Sequence, residues 1–125
     1  MIHHISVGTN DVERSRAFYD PVMAVVGIRR LDSKVSALDY GVGAFLISIE
    51  TPVDGQPATA GNGVHIAFIA QDRAMVDLFH RTGLENGGSD AGAPGLRPEY
   101  DANYYGAFLF DPDGNKIEAV TYSAT

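Results

Sequence analysis

The feature that most constrains the fold is an internal repeat with an offset of 61 residues, which carries His4 onto His65. The same shift carries Phe18 onto Phe79 and Gly27 onto Gly88. Repeat arrays such as solenoids need three or more copies to bury a continuous core. Two copies of about sixty residues therefore predict a duplicated module rather than an array.

Each copy has the pattern of a strand, a helix and then shorter strands. Alternating polar and apolar residues predict the first strands at 2–8 and 64–70. The first helix is expected to start at Asn10 or Asp11, and Pro21 is expected to kink or split it, because proline removes a helical hydrogen bond. The second helix is expected over 72–86. The remaining strands are expected near 29–33, 36–40 and 44–50, and near 104–110 and 116–122.

These elements predict one α+β domain over residues 1–125, built from two βαβββ modules. The first module is expected at 1–50 and the second at 64–125. A Pro- and Gly-containing linker without periodicity, 51–63, is expected to join them. The Gly-rich stretch 87–103 reads as a long loop, and loops of this length in small domains are often functional.

The composition of the chain limits which partners it can bind and which side chains could hold a metal ion. The chain has 9 basic and 16 acidic residues and a formal charge of −7, which argues against nucleic acid as a partner. The longest nearly apolar stretch, 42–49, is far shorter than the roughly 20 residues that span a bilayer. We therefore expect no membrane partner and a cytoplasmic location. The chain has no cysteine, so a metal would have to be held by His, Asp, Glu or oxygen ligands.

Three residues are candidates for metal ligands. Strand alternation places His4 and His65 on the sheet face away from the helices, and Glu118 points the same way on the last strand. Two imidazoles and one carboxylate with open positions suit Fe(II) in oxygenases, and related three-ligand sets suit catalytic Zn²⁺. The alternative is that each His is a hydrogen-bonded structural residue and that Glu118 is surface charge.

The second half also contains candidates for contact with a substrate. We predict Tyr105 and Arg97 as catalytic residues and Tyr100, Tyr104 and Arg97 as substrate-binding residues. Arginine pairs with carboxylates through two parallel bonds, and tyrosine donates a proton or a hydrogen bond. The alternative is that Tyr104 and Tyr105 simply alternate along a strand. His80, on the second helix, is expected to face solvent.

The sequence resembles the vicinal oxygen chelate superfamily, which includes glyoxalase I, bleomycin resistance proteins and extradiol dioxygenases. The resemblance rests on HHISVGTNDVERSRAFYDPVM, GNGVHIAF and YYGAFLFDPDGNKIEAV. It implies an open curved sheet or cup around a divalent metal ion (Fe, Mn, Zn or Ni), often completed across a homodimer. It also implies that the ligands are His4, His65 and Glu118. A fourth ligand of glyoxalase I falls by spacing on Ile47, which cannot bind a metal.

Two functions remain open at this point. The first is a metal-dependent enzyme, dioxygenase-like or lyase-like, that chelates a small-molecule substrate through neighbouring oxygens. The second is a metal-free binding protein of the bleomycin-resistance type, which the acidic charge and the aromatic residues at 100–105 would suit. A homodimer is expected for both, since the modules leave sheet edges to be covered.

Overall fold

A computed structural model describes all 125 residues. It contains two helices and eight strands, in the order βαβββ–βαβββ. The first module comprises β1 (Ile5–Gly8), α1 (Val12–Val25), β2 (Arg29–Ser33), β3 (Ala37–Val42) and β4 (Ala44–Glu50). The second comprises β5 (His65–Ile69), α2 (Arg73–Glu85), β6 (Ser89–Leu96), β7 (Tyr105–Phe110) and β8 (Lys116–Thr121). The predicted α+β class with two βαβββ modules is confirmed.

The strands form two separate four-stranded mixed sheets with the same topology. Their orders are β1-β4-β3-β2 and β5-β8-β7-β6. In each sheet the first strand runs parallel to the last and the other neighbours are antiparallel. The two sheets do not join into a closed barrel. Each therefore keeps one face toward its helix and leaves the opposite face open.

One apolar core of 17 buried residues spans both modules. Helix α1 packs on β2, β3 and β4, α2 packs on β6, β7 and β8, and the two helices pack on each other. Leu109 and Ile117 line the helix side of the second sheet, where both are fully buried. Neither helix is long and apolar enough to cross a membrane.

The helix boundaries follow the capping signals, with one exception inside α1. Asp11 caps α1 by accepting a hydrogen bond from the Arg14 amide, and Asp72 caps α2 through the Met75 amide. Pro21 does not split the helix, because α1 is continuous from Val12 to Val25. Burial of Tyr19, Val22 and Met23 on either side of the proline holds the helix against its core.

Residues 87–103 are not the long loop that the sequence predicts. Residues 89–96 form strand β6, which pairs antiparallel with β7 at the edge of the second sheet. The register shifts twice along this pair. An edge position explains how β6 accommodates Pro94, because an edge strand need not donate every amide to a neighbour.

Asp113, in the turn between β7 and β8, adds a polar link between the two modules to the shared apolar core. Its carboxylate accepts hydrogen bonds from the Thr9 hydroxyl at 2.6 Å, the Asn10 amide at 2.9 Å and the Ser15 hydroxyl at 3.3 Å. It also forms an ion pair with Arg14 at 2.6 Å. The turn of the second module is thereby fixed to the start of α1 in the first.

Candidate functional site

A buried carboxylate lies on the open face of the second sheet. Glu118, on β8, is fully buried, and its Oε1 lies 3.0 Å from Nε2 of His65 on β5. The second oxygen, Oε2, accepts a short hydrogen bond from the Tyr104 hydroxyl. One carboxylate therefore links an imidazole and a phenol that come from opposite sides of it.

The strand register explains why these groups meet. Parallel pairing sets His65 beside Lys116 and Ala67 beside Glu118. Residues two apart on a strand share a face, so His65 lies one step along the same face from Glu118. The helix side of these strands carries Ile66 and Ile117 instead.

Burial raises the pKa of Tyr104 above its ordinary value, and the hydrogen bond to Glu118 adds to the effect. A hydroxyl held next to a carboxylate keeps its proton, because losing it would place two negative charges together. Tyr104 is therefore a hydrogen-bond donor at neutral pH rather than a base.

Gly106 makes room for this contact and was missed in the sequence analysis. A Cβ at Gly106 would lie 2.9 Å from Glu118 Oε2 and 3.2 Å from the Tyr104 ring. A glycine inside a strand often marks such a close approach. The glycine that follows Tyr104-Tyr105 in the predicted strand was thus an available signal.

His4 lies apart from this group. Its ring stacks on Phe45 with centroids 4.4 Å apart, and its Nδ1 is 2.7 Å from Nδ1 of His3. No three His, Asp or Glu side chains of the chain are grouped so that they could hold a metal ion. A single chain therefore brings together His65 and Glu118 but not His4.

Tyr105, predicted as a catalytic residue, lies on the other side of the sheet from Glu118. Its hydroxyl donates to Asp77 on α2 at 2.6 Å, and the Arg73 guanidinium lies 5.2 Å from its ring centroid. Neighbouring strand residues point to opposite faces. Tyr104, which was predicted only to bind substrate, is therefore the tyrosine that contacts Glu118.

Arg97 and Tyr100 lie near the same open face. The Arg97 guanidinium carbon lies 5.7 Å from the centroid of Phe108, a ring that also contacts His65 at 5.7 Å. The Tyr100 ring lies 5.0 Å from that of Tyr104. Both residues are close to the side chains around Glu118, although neither contacts Glu118 itself.

His80 does not face solvent as expected. It is 8% exposed, and its Nε2 lies 2.8 Å from Asp90 Oδ1. The contact connects α2 to β6. We assign it a structural role.

Comparisons with known proteins agree with this architecture. The family model described as the Glyoxalase/Bleomycin resistance protein/Dioxygenase superfamily matches residues 1–119. The chain belongs to this superfamily. A comparison with curated proteins gave no match.

Solved structures of superfamily proteins have the same fold. A glyoxalase/bleomycin resistance protein from Albidiferax ferrireducens T118 is 41% identical, with a TM-score of 0.85 over 96% of this chain and 97% of that one. A putative glyoxalase from Bacillus halodurans is 26% identical, with a TM-score of 0.72 over 96% and 94%. A lactoylglutathione lyase from Agrobacterium tumefaciens is 20% identical, with a TM-score of 0.64 over 96% and 92%, and it supports the fold alone.

The register also corrects the position that we compared with the fourth ligand of glyoxalase I. Ser6 pairs with Ser48 in the first module as Ala67 pairs with Glu118 in the second. Ser48, not Ile47, therefore corresponds to Glu118. Its hydroxyl donates to Glu50 at 2.9 Å, and the first module has no carboxylate at this position.

The donor set fits two of the three protein ligands of a divalent metal site. An imidazole nitrogen and a carboxylate oxygen on one rigid sheet are suitable donors for Zn²⁺ or Fe(II). The hydrogen bond from Tyr104 would orient the Glu118 carboxylate, because groups that hydrogen-bond to metal ligands fix their orientation. One further ligand has to come from outside this pair.

Proposed function

We propose that the protein is a metal-dependent small-molecule enzyme of the glyoxalase/bleomycin resistance protein/dioxygenase superfamily. The observation that carries the proposal is Glu118, a fully buried carboxylate 3.0 Å from His65 on the open face of a sheet. Burying a carboxylate is costly unless it is paired. A role as a metal ligand would explain why the Glu118 carboxylate is buried beside His65, whose side chain is 43% exposed.

The third ligand would be His4 of a second copy of the chain, so the homodimer belongs to the same proposal. His4 is exposed, at the first strand of the other sheet, and does not reach Glu118 within one chain. Both open faces carry exposed apolar residues, among them Leu46 at 39% and Ile69 at 85%. Association of the first sheet of one chain with the second sheet of another would cover both faces.

A bound divalent metal would supply Lewis acidity toward two neighbouring oxygens of a substrate. The chain itself would provide the remaining functions. His65 and Glu118 would hold the metal, and Tyr104 would fix the orientation of the carboxylate through its hydroxyl. Dioxygenase-like and lyase-like reactions both remain within the proposal, as does the cytoplasmic location expected from the sequence.

A metal-free binding protein is the second candidate. The observation that favours it is that both oxygens of Glu118 already have protein partners, His65 and Tyr104. A carboxylate satisfied in this way needs no metal to balance its burial. This candidate predicts ligand binding that is unchanged by a chelator.

Metal titration of the dialysed protein separates the two candidates. Isothermal titration with Zn²⁺, Mn²⁺ and Ni²⁺ should detect a site in the wild type. Glu118→Gln and His65→Ala should weaken metal binding by more than the roughly 10–100-fold that is typical when a residue that only hydrogen-bonds to a metal ligand is replaced. Glu99→Gln, at an exposed glutamate, is the matched control and should leave the affinity unchanged. Equal metal binding by wild type and Glu118→Gln would exclude the metal site.

A mixing experiment tests the contribution of the second copy. Chains carrying His4→Ala and chains carrying Glu118→Gln should each fail to hold metal as homodimers. Their heterodimer should hold about one ion, because one of its two symmetric sites contains an intact His4 and an intact Glu118. A heterodimer that binds none would show that the copies do not share ligands.

A further inference from the structure

His4 has a polar neighbour that its counterpart in the second module lacks. Its Nδ1 lies 2.7 Å from Nδ1 of His3, a distance at which one ring donates a hydrogen bond to the other. The internal repeat, with its offset of 61 residues, carries His3 onto Val64. The side chain of Val64 cannot hydrogen-bond to His65, so the pair of adjacent histidines is a feature of the first module alone.

The first module also has no counterpart of Glu118. In the second module, the Glu118 carboxylate lies against Nε2 of His65. Ser48 occupies the corresponding position in the first module, and its hydroxyl donates to another side chain of β4. His3 is therefore the one side chain that hydrogen-bonds to His4.

Phe45 fixes the ring plane of His4 and leaves the far nitrogen of that ring free. The two rings are stacked, with centroids 4.4 Å apart and 28° between their planes. The His3 ring packs edge-on against His4, with centroids 5.0 Å apart and 82° between the planes. His4 is exposed, and its Nε2 has no hydrogen-bond partner. Nε2 is therefore the nitrogen of His4 that a group from outside the chain can reach.

The hydrogen bond between the two rings decides which nitrogen of His4 keeps a free lone pair. A neutral imidazole carries one proton, and its other nitrogen is an acceptor. If Nδ1 of His4 donates to His3, the lone pair of Nε2 is free to bind a metal ion. If His3 donates instead, the Nδ1 lone pair of His4 is occupied and Nε2 carries the proton. Histidines that bind metals almost always donate their other N–H to an acceptor.

We propose that His3 is a positioning residue, which accepts a hydrogen bond from Nδ1 of His4 and so leaves Nε2 of His4 free to bind the metal ion. His3 itself contacts neither the metal ion nor a substrate. The proposal rests on the proposed function, because it assigns the group that orients His4 for the site that His4 would complete in a second copy of the chain.

Long-range ¹H–¹⁵N NMR spectra of the metal-free protein test the assignment of the proton. At about pH 8, where histidine side chains are ordinarily neutral, these spectra show which nitrogen of each ring is protonated. His4 should carry its proton on Nδ1, and His3 on Nε2. In His3→Ala, His4 should shift toward the form protonated on Nε2. A wild-type His4 protonated on Nε2, or a His4 that is unchanged in His3→Ala, would overturn the proposal.

Isothermal titration with Zn²⁺ tests the effect of His3 on the metal site. His3→Ala should weaken binding roughly 10–100-fold, the range for a residue that hydrogen-bonds to a metal ligand. His3→Asn should retain most of the affinity, because the asparagine amide oxygen occupies the place of Nδ1 and can accept the same hydrogen bond. His3→Gln should bind as weakly as His3→Ala, because its amide lies one bond further from the backbone. Equal affinities of His3→Asn and His3→Gln for Zn²⁺ would contradict the role of His3.

Val64→Ala is the matched control, because Val64 precedes His65 as His3 precedes His4. It should leave the Zn²⁺ affinity unchanged. A wild type that binds no Zn²⁺ would refute the proposed function, and the protonation of His4 in the metal-free protein would still decide whether His3 positions it. Equal Zn²⁺ binding through Glu118 in wild type and His3→Ala would leave the proposed function standing and refute the role of His3.

Discussion

Replacing Asp113 with alanine should destabilise the protein by about 2–4 kcal/mol, because this buried carboxylate accepts several hydrogen bonds across the contact between the two modules. Its side chain is only 2% exposed and accepts four hydrogen bonds from the first module. The bond from the buried Thr9 hydroxyl should account for about 1.5–3 kcal/mol, the range for hydrogen bonds to charged groups. Arg14, 47% exposed, should add at most about 1 kcal/mol.

Loss of the hydrogen bonds from the Ser15 hydroxyl and the Asn10 amide should cost less free energy. The Thr9 and Ser15 hydroxyls bond each other at 2.6 Å, so neither is left without a partner when Asp113 is removed. The amide of Asn10 is exposed and can bond water instead. These compensations keep the expected loss below the sum of four bonds.

Urea denaturation followed by circular dichroism measures this loss directly. Asp54→Ala is the matched control, because Asp54 accepts only one local bond, from the Gln56 amide in an exposed loop. It should change stability by less than about 0.5 kcal/mol. Asp113→Asn should fall between the two. An Asp113→Ala protein as stable as the Asp54→Ala control would refute the account of how the modules are joined.

Three further predictions concern pH, packing and the site. Burial, and then the hydrogen bond to Asp20, raise the pKa of Tyr40. The stabilising contribution of Tyr40 is therefore complete below about pH 10 and is lost as pH rises above that value. In urea titrations at alkaline pH, the free energy of unfolding of Tyr40→Phe should fall less steeply with pH than that of the wild type. Gly88→Ala should cost about 1–3 kcal/mol by thermal unfolding, since its Cβ would lie 2.5 Å from the Phe18 ring; an unchanged Tm would contradict this. Tyr104→Phe should weaken metal binding roughly 10–100-fold, whereas Tyr105→Phe, the same change on the helix side, should not; equal effects would show that the bond to Glu118 is unimportant.

Much of the fold could be predicted because hydrophobic periodicity recurs in both halves. The repeat with its offset of 61 residues located both modules, and α2 (Arg73–Glu85) lies within one residue of its predicted ends. Strand β6 could not be predicted, because Gly, Pro and Asp read as a loop and its pairing with β7 comes from tertiary structure. The split at Pro21 does not occur, because packing around the proline outweighs the lost hydrogen bond.

The candidate site was predictable only in part. Alternation along β5 and β8 was enough to place His65 and Glu118 on one face. The choice between Tyr104 and Tyr105 depended on the exact start of β7, and strand ends are the least reliable part of a prediction from sequence. Whether His4 meets the other two within one chain could not be decided from the sequence, because it depends on how the modules pack rather than on either module alone.

Anomalous diffraction at the metal edge, from crystals grown with Zn²⁺, tests the central claim most directly. The account predicts one peak per chain at about 2.0–2.2 Å from a His65 nitrogen and a Glu118 oxygen, with His4 of a second protomer as the third ligand. Zn²⁺ bound elsewhere, or a His65–Glu118 pair that stays free of metal at saturating Zn²⁺, would contradict it.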